Sequence, residues 1–387
     1  MKLSHFRFDL PQERIATTPP YNRDECRLMV LHRKSNRIDM FAEETPKSPK
    51  SRKKTKPEYL QFKNIINYFD EGDAFIFNDT KLFPARLSGT KEKTDANIEV
   101  FLLRELNTEM RLWDVIVEPA RKIRIGNKLF FDESGAMVAE VIDNTTSRGR
   151  TLRFLYDGTH DEFIHDLYAL GKPPLPPYLL GHGNTDSIPE PKPEEEKTEQ
   201  LSVTLDDLQT IYATNEGAVT SPVSGLHFTR QLMKRMEIKG IDLGFITLHC
   251  TLGCFRTIEV EDLSKHKMES EQMIISAEAC RIANTAKQNG KRVCIVGTSC
   301  AKAVETAVGT DGLLKEYEGW TNKFLFPPRE YRFADALVAN FYHPASTLLM
   351  SAASFGGYEL VMEAYRMAIE HEYNFGCFGD AMLILDD

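Results

Sequence analysis

The chain has no apolar run approaching the ~20 residues needed to span a bilayer. Its first residues, Met1 to Asp9, carry no apolar h-region. Neither a membrane span nor a secretory signal is therefore expected. The seven cysteines, Cys26, Cys250, Cys254, Cys280, Cys294, Cys300 and Cys377, are odd in number and scattered. That pattern excludes a fully paired disulfide framework and points to a reduced, cytoplasmic chain with free thiols. Cys250 and Cys254 are the one close pair, and no second pair stands at zinc spacing, so no metal is expected. Positive charge is also in short supply. Lys and Arg number 48 against 57 Asp and Glu, a formal net charge of −9. This excludes a general polyanion binder and leaves room for a local basic surface. Walker, GxGxxG, HExxH and GxSxG motifs are missing, as are internal repeats.

What is present is an ordinary folded composition, 387 residues with 42% hydrophobic and 27% charged. Two segments break the pattern. Residues 45–57 hold six basic residues, three prolines and no acid, which predicts an exposed polar loop. Residues 184–200 hold three prolines and the run Glu194-Glu195-Glu196, which predicts an acidic extended linker. Between about 87 and 157, segments 98–103, 111–117 and 137–142 are rich in β-formers and separated by turn residues. Short strands at this spacing suggest a small barrel or sandwich. After residue 201 strands and helices alternate. Strands are expected at 244–249, 292–296 and 335–340. Helices are expected at 230–239 after a Thr229 cap, at 277–288 after a Ser276 cap, from near Cys300, and along 346–371 with a break at Gly356-Gly357. Alternation of this kind argues for an α/β sheet.

Polar clusters follow several of these strands, where α/β proteins place ligand sites. Asn78, Asp79, Lys81 and Arg86 follow the apolar run 75–77. Asn and Asp suit an ordinary turn, while Lys81 and Arg86 suit a phosphate or carboxylate. His227 precedes a capped helix start, and His249 ends a strand. Each suits either proton transfer or a satisfied structural hydrogen bond. Gly297, Thr298 and Ser299 form a strand–helix junction able to hold an anion through backbone N–H groups, or simply to cap the helix. Asn340 and Phe341 end another strand, with Phe341 and Tyr342 suited to base stacking or, for Phe341, to core packing. Asp380 suits a buried acceptor or a site carboxylate.

The order of these blocks is more specific than any one of them. FNDTKLFPARL (77–87), LPPY (175–178), SGLHFT (224–229), TLH (247–249), VGT (296–298), DALVANF (335–341), STLLM (346–350) and FGDAM (378–382) run nearly the length of the chain. This series resembles the S-adenosylmethionine:tRNA ribosyltransferase-isomerases of queuosine biosynthesis. The resemblance implies a three-layer α/β domain, 1–87 and 158–387, interrupted by a small inserted β-barrel domain, 88–157. It implies transfer and isomerisation of the ribosyl group of S-adenosylmethionine onto 7-aminomethyl-7-deazaguanine at the tRNA wobble position. The products are epoxyqueuosine, adenine and methionine. S-adenosylmethionine is then a ribosyl-donor cosubstrate, tRNA is the macromolecular substrate, and a monomer is expected. Proton transfer falls to His227, His249 or Asp79. Substrate contacts fall to Asn78, Lys81, Arg86, Gly297, Thr298, Ser299, Asn340, Phe341 and Asp380. RNA contacts fall to Lys50, Arg52, Lys53 and Lys54 in the basic loop, which is otherwise a solvated insertion, and to Arg121, Lys122 and Arg124.

The chain also departs from the family pattern. Cys250 to Phe255 replaces a Gly-rich loop, Lys302 replaces an Arg, Glu269 replaces a His, and Tyr342-His343 and Phe326-Pro327-Pro328 stand in altered blocks. Either the reaction is unchanged, or the chain is a divergent tRNA-binding paralog that is noncatalytic or has an altered substrate. An unrelated methyltransferase is disfavoured because no Gly-rich loop follows a first strand.

Overall fold

Strands that are apolar at every position need cover on both faces, and the central strands of this protein are of that kind. The computed structural model describes residues 1–42, 58–146, 148–180, 203–251 and 258–386. The basic loop 45–57, the acidic linker 184–200 and Cys254 lie outside them. In chain order the first elements are β1 (Leu28–His32), β2 (Arg37–Asp39), β3 (Ala74–Asn78) and β4 (Thr80–Leu82). Next come β5 (Arg86–Lys91), β6 (Ala96–Asn107), β7 (Leu112–Glu118), β8 (Lys128–Phe130), β9 (Val138–Asn144), β10 (Gly149–Leu155) and α1 (His160–Leu170). The chain continues through β11 (Asn215–Ala218), α2 (Arg230–Ile238), β12 (Asp242–Leu248), β13 (Glu271–Ile275), α3 (Ala277–Gln288) and β14 (Val293–Val296). It closes with α4 (Gly297–Ala307), β15 (Tyr317–Thr321), β16 (Ala336–Asn340), α5 (Thr347–Gly356), α6 (Tyr358–Glu370) and β17 (Ala381–Leu385).

Nine strands form one mixed sheet in the order β15-β13-β12-β3-β14-β16-β17-β1-β2. Its centre is parallel: Ile76 of β3 stands beside Gly244 of β12 and Ile295 of β14. The period of two along each strand divides the core. Ala74, Ile76, Val293, Ile295, Leu337, Ala339, Met382 and Ile384 pack with buried residues of α3 to α6. Their neighbours Phe75, Phe77, Cys294, Val296, Ala336, Val338, Ala381 and Leu383 pack with Leu232 and Met236 of α2 and with Phe62, Ile65 and Phe69. The result is helices, sheet, helices: the three-layer arrangement expected from the sequence.

The caps expected at Thr229 and Ser276 are present, each side chain accepting a hydrogen bond from a backbone N–H three residues on. The 346–371 segment breaks at Gly357, whose φ of +86° leaves the helical region and separates α5 from α6. One expectation is corrected. No turn separates β14 from α4. The helix begins at Gly297 itself (φ +89°), so Ser299 lies within the first turn rather than capping it.

β5 to β10 close into a six-stranded antiparallel barrel between β4 and α1. Its core includes Leu87, Val100, Leu102, Val115, Val117, Leu129, Val141, Leu152 and Phe154. Register shifts in β6 and β10 supply the bends that closure requires. Helix α1 contributes Phe163 and Leu167, one turn apart, to this core. Phe163→Ala is expected to destabilise the barrel by ~3–5 kcal/mol. Urea unfolding followed through Trp113 in a Trp320→Phe background isolates the barrel signal, because the chain has two tryptophans. A loss below ~1 kcal/mol would show that α1 is dispensable to that core.

Candidate active site

Two clefts open next to each other at the carboxyl ends of the parallel strands, where strand order reverses around β3. The strand-end cleft has a volume of about 350 Å³ and the barrel-side cleft about 470 Å³. Cys250, just past β12, lines both.

The first turns of α4 (Gly297, Thr298, Ser299) and α5 (Thr347, Leu348) line the strand-end cleft. Two helix N-termini directed at one space favour an anionic group. Arg7, Lys302 and Lys323 line it as well, against one acid, Glu271. Lys302 and Glu271 form a buried ion pair, and the second Glu271 oxygen accepts from the Thr251 N–H at 3.0 Å. Ser224 and Tyr342 share a hydroxyl–hydroxyl hydrogen bond of 3.2 Å. His343 packs tilted against Tyr178 at 4.3 Å between ring centres, and burial lowers its imidazole to about 4, so it is neutral at pH 7. Two polar atoms here are buried without a partner, Thr347 Oγ1 and His343 Nε2. Thr347 is only 3% exposed. Unpaired buried groups of this kind call for a ligand or a water.

The barrel-side cleft lies between the barrel strands β6 and β7 and the β12-β13-β15 edge of the sheet. It carries the opposite charge: Glu105, Asp114, Glu216 and Glu269 against Arg104. Arg104 also lies over the Trp320 ring at 5.0 Å. His249 lines this cleft, and its Nδ1 is 2.8 Å from Thr80 Oγ1. Gly217 packs under the ring so closely that a Cβ there would stand 2.8 Å from it. Burial lowers the His249 imidazole and the charge of Asp79 opposes that shift.

The structure separates the other expected site residues from this space. Asn78 is buried at the end of β3. Its amide donates to Leu248 O (2.9 Å) and Ser299 Oγ (3.3 Å) and accepts from the N–H groups of Leu248 and Thr80. Asp79 lines neither cleft. It accepts from Thr247 Oγ1 (2.6 Å), Asn215 Nδ2 (3.0 Å) and Thr214 Oγ1 (3.3 Å), a set that fixes the carboxylate as a structural acceptor. His227 is also a core group. Its Nε2 meets Asn340 Oδ1 at 3.2 Å, its Nδ1 meets Cys26 Sγ at 3.1 Å, and its ring lies on Phe62. Asn340 further donates to Gly376 O (3.2 Å). Phe341 is fully buried against Tyr365, Tyr373 and Phe375, so core packing prevails over base stacking. Asp380 accepts from the N–H groups of Arg27 and Asn374, both at 2.7 Å, and so closes a loop. Arg86 faces Glu99 at 3.7 Å on the barrel, and Lys81 sits 4.0 Å from Glu216 at the rim of the barrel-side cleft.

Arg121, Lys122 and Arg124 are exposed beyond β7. The buried Arg150 guanidinium, donating to Ala120 O and Ile123 O, pins their loop to β10. Lys50, Arg52, Lys53 and Lys54 lie outside the described residues. Among the described residues no three His, Cys, Asp or Glu side chains converge as metal ligands, and no helix is long and apolar enough to cross a membrane. Sequence reasoning passed over Thr347 and Glu271 as site residues. Thr347 follows the helix-cap signal at Ser346, while Glu271 carries no local signal.

His227 yields a stability prediction. Burial lowers its imidazole to about 4 in the folded protein, against ~6.5 when unfolded. The unfolded chain therefore binds the extra proton, so stability is full above ~6.5 and falls as pH drops toward 4, by up to ~3 kcal/mol. In His227→Gln this component of the acid dependence should vanish, measured as the change in urea midpoint between pH 7 and pH 4.5. An unchanged slope would exclude His227 as its source.

Comparison with known proteins shows the family of the chain. The chain is 59% identical to an S-adenosylmethionine:tRNA ribosyltransferase-isomerase of Phocaeicola vulgatus over 387 residues, all of both chains. It is 57% identical to the protein of that name in Parabacteroides distasonis, again covering both in full. The crystal structure of S-adenosylmethionine tRNA ribosyltransferase from Thermotoga maritima is similar to it with a TM-score of 0.51 and 29% identity, covering 98% of this chain and 100% of that one. The family model described as queuosine biosynthesis protein matches residues 3–384, and the chain belongs to that family.

Proposed function

We propose that this enzyme, a S-adenosylmethionine:tRNA ribosyltransferase-isomerase like its relatives, holds its two substrates in the two clefts and joins them across Cys250. The observation that carries this reading is the opposite charge of two clefts sharing one wall. S-adenosylmethionine suits the strand-end cleft. Its carboxylate matches the two helix N-termini and Arg7, Lys302 and Lys323. Thr347 Oγ1 and the neutral His343 Nε2 offer hydrogen bonds to its uncharged polar atoms. The volume is that of a small-molecule site. The target base is 7-aminomethyl-7-deazaguanine at the wobble position, and its protonated aminomethyl group suits the acidic barrel-side cleft. Phosphates of the anticodon arm fall to the loop of Arg121, Lys122 and Arg124. The barrel, 88–157, thus serves RNA while the discontinuous domain of 1–87 and 158–387 serves the nucleoside donor, within a cytoplasmic monomer.

The sulfonium of the donor acidifies the adjoining C5′ hydrogens, and the attacking amine must shed a proton. His249 is the one expected catalytic residue that lines a cleft, so proton transfer is given to its imidazole. Thr80 and Gly217 fix the ring, and burial favours the neutral imidazole, the form able to take up a proton.

Incubation with S-adenosylmethionine and tRNA bearing the 7-aminomethyl base should release adenine and methionine together. Release of S-adenosylhomocysteine, or tight RNA binding without turnover, would refute the reading. His249→Asn should lower kcat by ~100-fold or more. In the wild type kcat/KM should fall on the acid side, below ~6.5, as the depressed imidazole becomes protonated, and the variant should lack that limb. Persistence of the limb in the variant would move the base elsewhere.

A further inference from the structure

We propose that Glu105 and Trp113 read the Watson–Crick edge of the target guanine from the barrel side, an inference that rests on the barrel-side cleft receiving the base. The two residues stand directly opposite each other in the β6–β7 ladder. Side chains paired in this way project from the same face. Register shifts on either side, between Leu102 and Arg104 and between Glu105 and Asn107, re-aim this end of β6 out of the regular barrel alternation.

Both residues line the cleft. Each carries a buried polar atom without a partner, Glu105 Oε1 and Trp113 Nε1, and Trp113 as a whole is 3% exposed. A lone acidic cluster would attract any cation. An indole N–H beside a carboxylate asks for something more specific: an acceptor next to donors. A guanine edge offers it, with O6 toward the indole and N1–H and the 2-amino group toward the carboxylate. Adenine presents one donor group beside N1 and so makes one bond fewer. The other Glu105 oxygen lies 3.6 Å from His160 Nε2, and the carboxylate also has the Thr108 side chain as a hydrogen-bond partner. Trp320, 46% exposed and capped by Arg104, gives a flat face across the same cleft for the base to lie on. The protonated aminomethyl group, on the opposite edge of the ring system, is then left to Glu216, Glu269 and His249.

The test pairs one protein change with one substrate change. Anticodon stem-loops carry either the 7-aminomethyl base or its analogue lacking the 2-amino group. Wild-type kcat/KM should fall ~10–100-fold on deletion of the amino group. In Glu105→Gln the two RNAs should differ by less than ~3-fold, because the partner of that group is already weakened. Trp113→Phe should raise KM for the RNA ~10-fold, leave KM for S-adenosylmethionine unaltered, and keep the sensitivity to the 2-amino group. Equilibrium binding of both stem-loops gives the same discrimination for a variant that folds but turns over poorly. Wild-type discrimination retained in Glu105→Gln, or a rise in KM for S-adenosylmethionine in Trp113→Phe, overturns the assignment. A wild type that releases no adenine from either RNA refutes the functional reading itself and the assignment with it.

Discussion

The site hangs on the side chain of Asn78. β3 ends there, and its ladder to β12 ends with the Asp79 N–H donating to Ile246 O. The Asn78 amide then does what another residue of backbone would do: it pairs with both the N–H and the C=O of Leu248, each at 2.9 Å. Its amide nitrogen also reaches Ser299 in the first turn of α4. One buried group thus joins the ends of β3 and β12 to the start of α4. Leu248 is followed directly by His249 and Cys250, so the direction of the ring and the position of the shared wall both follow from that pair of hydrogen bonds. An amide can act as donor and acceptor at once, which a carboxylate cannot. Aspartate at 78 would leave Leu248 O and Ser299 Oγ facing a charge in the core.

Around this joint, charge is sorted instead of neutralised. A chain of net charge −9 would repel RNA if its acids were spread evenly. Here four carboxylates line the cleft next to the barrel, while cations and helix N-termini line its neighbour. Field lines are focused by low-dielectric walls, so each cleft keeps its own sign over a short distance. On the proposed assignment, a base bearing an ammonium group and a small molecule bearing a carboxylate would be guided to adjacent places. Screening leaves such short-range sorting intact, since the Debye length near 0.15 M salt is about 8 Å.

The fold was legible because it rests on local patterns. Runs such as Phe75–Phe77 and Val293–Val296 are apolar at every position and read as covered strands. Thr229 and Ser276 announce their helices. The site was legible only as places at strand ends. His227, Asp79 and Asp380 look like chemistry in the sequence because their residue types permit it. In space each is held by at least one partner more than a hundred residues away: Asn340 for His227, Thr247 for Asp79 and Arg27 for Asp380. Thr347 and Trp113 show the reverse. Nothing in a sequence marks a hydroxyl or an indole as lacking a partner, because that property belongs to the packing around it. Glu105 was hidden for a further reason: a register shift, not its place in the alternation, determines where β6 sends it.

The wall between the clefts is held by a short chain of contacts through Lys302, Glu271, Thr251 and Glu269. A guanidinium fork would engage both oxygens of Glu271, whereas the ammonium uses one. The oxygen left over accepts the Thr251 N–H, and Glu269 accepts from Thr251 Oγ1 at 3.3 Å. Thr251 follows Cys250, the residue that lines both clefts. Two carboxylates therefore hold one residue of this wall, by its N–H and by its hydroxyl. Contacts of this kind fix the spacing between the clefts, and a fixed spacing is what a transfer between two bound molecules would require.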